Sequence, residues 1–357
     1  MNYISLHSFL SEYTERNINN KYKPVAVGRY GIRTRESIYS KELAKDYSKN
    51  KLIFKNTLTI GMGSVQIDIG ILSTDDTYSV SPAYHTYRIN GINPDYLRYC
   101  LECRNQDMFV RYVKKGSRQG KTIDLSRWLT YEIPVYSQDK QKEIVTRIDC
   151  VQKLVEASEL QLAKLDELVK SRFIELFGDQ ETNPYNLNVG KLSDVADIYL
   201  GLTHTPTYVE QGRPFLSVRD ISSGVIDFSN CHYVAEEEFC SLPNGARPKV
   251  GDMLFCRVGT IGKPVIIPEK TPEFGTFVSV GYLRKKANVN NYYLKSWMEN
   301  EYFMRQVYDN VAGASQINLN TGWLKNFRIL IPSMELQEQF AVFVEQTDKS
   351  PNISLNK

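Results

Sequence analysis

The sequence is short of the residues that build staples and metal sites. Six cysteines stand among 357 residues: Cys100, Cys103, Cys150, Cys231, Cys240 and Cys256. Cys100 and Cys103 form a lone C-x-x-C in a helix-like stretch, with no second pair at zinc spacing, so neither a four-ligand metal site nor a disulfide framework organises the chain. Four histidines (His7, His85, His204, His232) have no carboxylate or cysteine partner at recognisable spacing. No apolar run nears the ~20 residues that span a bilayer. The Met1–Ser5 start lacks the basic and apolar regions of a signal peptide. These absences predict a cytoplasmic protein without a membrane segment or metal, its thiols reduced. At 42% hydrophobic and 24% charged residues the chain is globular, and its length suits two or three domains.

The net charge is only +3, but it is unevenly spread. Residues 1–135 hold 20 Lys/Arg against 13 Asp/Glu, while residues 181–334 hold 15 of each. A basic first third fits a polyanionic partner; the neutral second region gives no such argument.

What the chain does have is a repeat, at an offset of 195–197 residues. Ile92–Leu97 matches Val289–Leu294, and Gly116–Gln119 matches Gly313–Gln316. Trp128-Leu129 matches Trp323-Leu324, Tyr131–Val135 matches Phe327–Ile331, and Gln141–Ile144 matches Gln337–Phe340. Five collinear matches predict a two-copy duplication. Each copy is a strand-rich α+β domain that ends in a short β segment and then a helix with Gln in its first turn. Short strands are expected at 51–54, 66–69, 253–256 and 264–267, and helical stretches at Tyr96–Val110 and Tyr292–Val307.

Between the copies, Gln141–Phe177 contains neither proline nor glycine. Apolar residues fall at Ile144, Ile148, Val151, Val155, Leu162, Leu165, Val169, Phe173 and Leu176, in steps of four and three with Ser158 as a polar gap. That is coiled-coil spacing. Gly178 stops the helix. The expected rod is about 55 Å long, with Ile144, Ile148, Val151, Val155, Leu162, Leu165, Val169 and Phe173 as a subunit-interface seam. The resulting fold class is α+β: two pseudo-repeated domains joined by a long coiled-coil-like helix, with a short C-terminal helical stub. The expected boundaries are 1–136, 137–179, 180–334 and 335–357.

Motifs for catalysis do not assemble. Gly61-Met-Gly63-Ser64 and Gly259-Thr-Ile-Gly262-Lys263 follow short strands but run into further strands, which excludes dinucleotide and Walker loops. They read as turns of antiparallel hairpins, where glycine lets backbone amides approach a phosphate. Asn183-Pro184-Tyr185 lacks the second proline of the amino-methyltransferase signature and reads as a linker turn. Basic, amide and aromatic residues do cluster near the glycine turns: Arg29, Tyr30, Arg33, Ser117, Arg118, Gln119 and Lys121 in the first copy, and Thr203, Thr205, Arg219, Arg257, Ser315, Gln316 and Asn318 in the second. Arg reads guanine, Asn and Gln read adenine, and hydroxyls and amides hold phosphate. These residues, with Gly61, Gly63, Ser64, Gly259, Gly262 and Lys263, are the candidate DNA contacts; no catalytic residue is assigned.

Leu165–Asp179 resembles the end of the central helix of type I restriction-modification specificity subunits. Gly201–Pro206, Phe215–Ile221 and Arg257–Gly262 look like that family's recognition domain, and Ile329–Gln339 resembles the lead into its helical arm. The resemblance covers nearly the whole chain. It implies a non-catalytic, DNA-binding subunit acting in defence against foreign DNA, with each domain reading one half of a bipartite double-stranded site. Helical spacers would set the half-site separation and dock two modification (methyltransferase) subunits. S-adenosylmethionine and ATP would reside on partner subunits, including the restriction/motor subunits, so no cofactor is expected here. The family's returning helix is long, whereas here a helix from Gln337, apolar at Phe340 and Val344, reaches Pro351. A truncated or rearranged product is therefore expected, bound by modification subunits or self-associating along the seam. The alternative is a coiled-coil protein–protein adaptor without DNA specificity.

Overall fold

A computed structural model describes residues 2–38, 46–115, 120–311 and 317–347. The chain divides into two compact units, residues 1–157 and 158–357, with the division inside one long helix.

In the first unit, β1 (Asn2–Ser5) pairs antiparallel with β12 (Glu132–Val135). A four-stranded antiparallel sheet runs in the order β2 (Leu10–Glu12), β9 (His85–Ile89), β6 (Thr57–Met62), β7 (Ile67–Ile71). One of its faces carries α1 (Pro94–Cys103) and α2 (Asn105–Tyr112), over a core that includes Leu58, Ile60, Tyr87, Leu97, Met108 and Trp128. Pro94 opens α1 and the Asn93 side chain accepts from Tyr96 N, which caps it. A hairpin of β3 (Val25–Gly28) and β4 (Gly31–Thr34) lies against β7. It forms a second small core with β5 (Lys51–Ile53) and β8 (Tyr78–Val80). Gly70 makes room for this crossing, since an added Cβ would lie 2.6 Å from Ile32. Apolar cover on two sides explains why Thr57–Gly61 of β6 are all buried. The unit is completed by β10 (Val113–Lys115), β11 (Lys121–Ile123) and α3 (Leu125–Trp128).

The second unit repeats this frame. Here β13 (Asn188–Lys191) pairs with β22 (Arg328–Ile331), and the sheet order is β14 (Ala196–Leu200), β21 (Val280–Lys285), β18 (Met253–Cys256), β19 (Val265–Ile266). Helices α7 (Asn291–Met298), α8 (Glu301–Asn310) and α9 (Thr321–Leu324) correspond to α1, α2 and α3. In place of the hairpin, a second four-stranded sheet contains β15 (Tyr208–Val209), β17 (His232–Val234), β16 (Arg213–Leu216) and β20 (Gly275–Thr276). Two short helices, α5 (Leu192–Val195) and α6 (Glu236–Ser241), complete the unit before the final helix α10 (Met334–Thr347).

One polar residue fixes the equivalent joint in each copy. Gln141 accepts from Asn93 N at 2.9 Å and donates to Tyr136 O at 2.8 Å. Gln337 accepts from Asn290 N at 2.8 Å and donates to Pro332 O at 2.9 Å and Asn288 O at 3.3 Å. Both are buried, and each bonds backbone groups through both ends of its amide, which offsets much of the desolvation cost of a buried amide.

Three expectations change in detail. Each expected long helical stretch is two helices, broken at Arg104 and at Glu299-Asn300; the Asn300 side chain starts α8 by accepting from Tyr302 N. The repeat frame at the Trp residues slips by one. Asp124 and Asn320 cap equivalent helices, so buried Trp128 corresponds to buried Leu324, and Trp323 is partly exposed. The long helix α4 runs Gln138–Phe177, three residues earlier than expected, and ends at Gly178 with φ +70°.

The seam along α4 is not uniformly open. Ile144 and Ile148 are half-buried, and Ile144 packs on the first unit's core. Val169 packs on the second unit's core, and Phe173 is wholly inside it. The Phe173 ring lies 5.5 Å from Tyr293 in a stacked pose and meets Phe177 and Phe340 edge-on. As an aromatic surrounded by its own unit it has no surface to offer a subunit, which corrects the expectation that Phe173 belongs to a subunit-interface seam. Between these anchors Val151, Val155, Leu162 and Leu165 are exposed, as are Leu154, Leu160 and Leu168.

Candidate nucleic-acid interface

The two glycine turns are hairpin turns, β6 to β7 and β18 to β19, as expected. Their glycines serve different needs. Gly61 is buried under Tyr84, whose ring would lie 2.4 Å from an added Cβ. Gly63 donates its N–H to Gln66 O at 3.1 Å, and a Cβ there would meet Asp68 Oδ1 at 2.7 Å. In the second unit Gly259 and Gly262 have φ of +74° and +82°, conformations that suit glycine. Gly61 thus has a packing reason for being glycine, and Ser64 and Val65, both exposed at the turn tip, are what this turn offers to solvent.

In the first unit two separately predicted clusters meet at this turn, because Lys121 Nζ donates to Ser64 O. The chain at the start of β11 is thereby tied to the β6–β7 tip. Arg29 and Tyr30 form the two-residue tip of the β3–β4 hairpin between Gly28 and Gly31, the latter at φ +76°. Tyr30 is 71% exposed, with the Arg29 and Arg33 guanidinium groups 5.8 Å and 5.1 Å from its ring centre. The tip is an aromatic flanked by two cations, a combination suited to stacking and phosphate contact. Ser117, Arg118 and Gln119 lie outside the described residues.

The second unit gathers its candidates around residues 277–279. Arg257 donates through Nε to Leu319 O at 3.0 Å, through Nη1 to Val278 O at 3.0 Å and through Nη2 to Asn318 Oδ1 at 3.3 Å. Burial pulls its guanidinium below the ordinary arginine pKa. Ser279 Oγ accepts from Val218 N at 3.3 Å, next to Arg219, and Leu202 O accepts from Val278 N at 2.9 Å, next to Thr203. Segments 202–205, 218–219, 257–263 and 318 therefore converge, although they are far apart in sequence. Thr203, Thr205, Arg219, Lys263 and Asn318 are exposed there. Arg257 commits three donors to its own loops, and its observed task is to clamp them. Arg219 spends Nε on Asp220 at 3.2 Å and Nη2 on Asn230 O at 2.8 Å. Ser315 and Gln316 lie outside the described residues.

Sequence reasoning missed the two glutamine joints as organisers of this geometry; their signal was the repeated Gln in the first turn of a helix. Among the described residues no cluster of His, Cys, Asp and Glu has metal-binding geometry, and no helix is long and apolar enough to cross a membrane.

No protein-family model matches the chain. Over 172 residues it is 26% identical to a Methanocaldococcus jannaschii protein named as the MjaX type I restriction enzyme specificity subunit, a match spanning 46% of this chain and 40% of that one. The aligned part is thus less than half of the relative's length. Among solved structures, the S subunit of a type I restriction-modification system from M. genitalium aligns with a TM-score of 0.55 at 15% identity, covering 97% of this chain and 89% of that one. The HsdS subunit from Thermoanaerobacter tengcongensis aligns with a TM-score of 0.39 at 16% identity, covering 97% and 88%. The M. genitalium alignment shows a shared fold, and the resemblance read from the sequence to type I specificity subunits is borne out.

Proposed function

We propose that this chain is the DNA-reading, non-catalytic specificity subunit of a type I restriction-modification complex. Each unit takes one half of a bipartite double-stranded site. The open middle of α4 docks modification subunits, whose S-adenosylmethionine supplies the methyl group, and ATP-driven motor subunits join through the complex in the cytoplasm.

One observation carries the reading. At the same place in both units, a hairpin turn of the sheet is tied to the segment after the second helix, through Lys121 and Ser64 in one and Arg257 and Asn318 in the other. The frame is repeated, yet the exposed residues on it differ. That is what two independent readers need: a rigid common scaffold that places different side chains against base edges. Exposed arginines, an asparagine and threonines supply the donor types that distinguish bases, and the lysines and backbone amides suit phosphate.

A protein–protein adaptor would explain the exposed apolar stripe equally well, so DNA binding is the discriminating test. The chain, alone and with a modification subunit, is titrated with duplex DNA at increasing salt. The proposal expects retention that weakens steeply, with log K falling by roughly 0.9 per phosphate contact for each unit of log salt. A chain that binds a modification subunit but holds no DNA at any salt is an adaptor.

A further inference from the structure

We propose that a cleft at the base of the β3–β4 hairpin is a phosphate-binding subsite in which Arg35 grips the backbone of one DNA strand. This rests on the DNA-reading function proposed above and adds to it a site that the sequence pattern did not single out.

The cleft has a volume of about 350 Å³ and is lined by Ala26, Arg35, Gly61, Met62, Ser81 and Tyr84, among others. That is near the lower end of the usual range for ligand sites, ~300–1,000 Å³, and gives room for a phosphodiester with its sugar. Its walls are fixed. The Tyr84 ring lies on Gly61, its hydroxyl donates to Val27 O at 3.0 Å, and its carbonyl accepts from Lys51 Nζ at 2.6 Å. The hairpin and the sheet are thereby bolted together on either side of the opening.

Arg35 is the unsatisfied group in this cleft. Its Nε is buried and has no hydrogen-bond acceptor. Among the described residues no carboxylate pairs with it, the adjacent Glu36 included, and its guanidinium rests 5.5 Å from the Tyr47 ring centre. Three arginines elsewhere in the unit are neutralised: Arg88 by Glu15, Arg98 by Glu102 at 3.4 Å and Arg111 by Asp107 at 2.7 Å. Burying a cationic group without a counter-charge costs free energy, and an anionic oxygen held at the part of the guanidinium that lines the cleft offsets that cost. Arginine presents a planar fork that matches phosphate oxygens in pairs, and Ser81 adds a hydroxyl on the cleft wall. The phosphate is assigned to DNA and not to a free anion because of where the cleft lies. Arg35 directly follows β4 and continues the run of Arg29 and Arg33 around exposed Tyr30, a run that among the described residues has no carboxylate partner. A two-stranded ribbon fits the DNA major groove, so a tip in the groove and a cationic cleft at its base would hold bases and backbone of the same duplex.

The test uses the full chain with its modification subunit and a fluorescein-labelled mixed-sequence duplex, for wild type, Arg35→Ala and Arg35→Lys. Thermal melting checks that each variant folds, and Arg35→Gln substitutes if the alanine variant does not. Arg35→Ala is expected to weaken binding severalfold, equally on all sequences, and to reduce the slope of log K against log salt by ~0.9. Arg35→Lys should keep most of the slope and lose part of the affinity. A parallel titration with inorganic phosphate separates the sources. If Arg35→Ala loses a phosphate-induced rise in melting temperature while its duplex binding and slope stay at wild-type values, the cleft holds a free anion and the proposal fails. Folded variants unchanged in both assays also overturn it, while the DNA-reading function stands. If wild type holds no duplex, that function falls and the subsite with it.

Discussion

Gln141 and Gln337 occupy the same position in the two units, each buried, and each bonded to the backbone at the cap of a helix and at the end of the preceding strand. Outside that joint the units part. The first lays a basic hairpin over its sheet, with Arg29, Tyr30 and Arg33 at or near the tip. The second builds another four-stranded sheet, whose Arg213 is paired with Glu236 at 2.6 Å and with Glu273 at 3.4 Å. Among the described residues no carboxylate pairs with Arg29 or Arg33, whereas Arg213 has two, in step with the basic first third and neutral second region of the sequence. What stays constant between the copies is the strand-pair, sheet and helix frame with its glutamine joint; what varies is the layer built over the sheet and the side chains exposed on it, and connecting segments are where function usually resides.

The largest expected effect separates the buried end of α4 from its open middle. Phe173→Ala removes a ring wholly inside the second unit and should destabilise that unit by about 3–5 kcal/mol. Val155→Ala, exposed on the same helix, should change stability by no more than about 0.5 kcal/mol. Urea denaturation followed by circular dichroism measures both; equal costs would mean that the two parts of the helix are buried alike.

Next come the glutamine joints. Replacement by leucine strands backbone groups in a buried place, at roughly 1–3 kcal/mol for each group left unpaired. Gln337→Leu strands three partners and Gln141→Leu two, so Gln337→Leu should cost more. Hydrogen exchange read by mass spectrometry should show opening confined to the substituted unit. Opening of both units by either change would show that the copies do not fold independently.

Smaller still is the contrast between the two tethers. Arg257→Ala removes the clamp on residues 278, 318 and 319 and should cost about 1–3 kcal/mol through the carbonyls it leaves unpaired. Lys121→Ala, exposed, should cost no more than about 0.5 kcal/mol yet reduce the salt slope of duplex binding by about 1. Reversed outcomes would place the clamp in the first unit and the contact in the second.

Much of this was legible in the sequence because it is local or periodic. The long helix follows from a run without glycine or proline and an apolar stripe, and the copies follow from collinear matches. The hairpin reading of the glycine turns follows from their running straight into strands. The rest depends on tertiary context. Phe173 belongs to the heptad pattern like Val155, and only the packing of Tyr293 and Phe340 around it decides that one is core and the other surface. The helix breaks at Arg104 and Asn300 carry neither glycine nor proline. The one-residue slip at Trp128 and Trp323 arose because tryptophan was matched to tryptophan, whereas the capping residues Asp124 and Asn320 set the frame. Arg257 read as a base contact because it is basic and near glycine; its three acceptors lie about 20 or 60 residues away in sequence.

Whether two independent readers share one chain is decided by domain exchange read out as a methylation pattern. Residues 1–136 are replaced by the first domain of another specificity subunit, the chimaera is expressed with the modification subunit, and methylated adenines are mapped genome-wide. A bipartite motif is expected for the original chain, and for the chimaera a motif changed in one half with the other half and the spacing kept. A change in both halves, or a motif indifferent to the exchange, would contradict it.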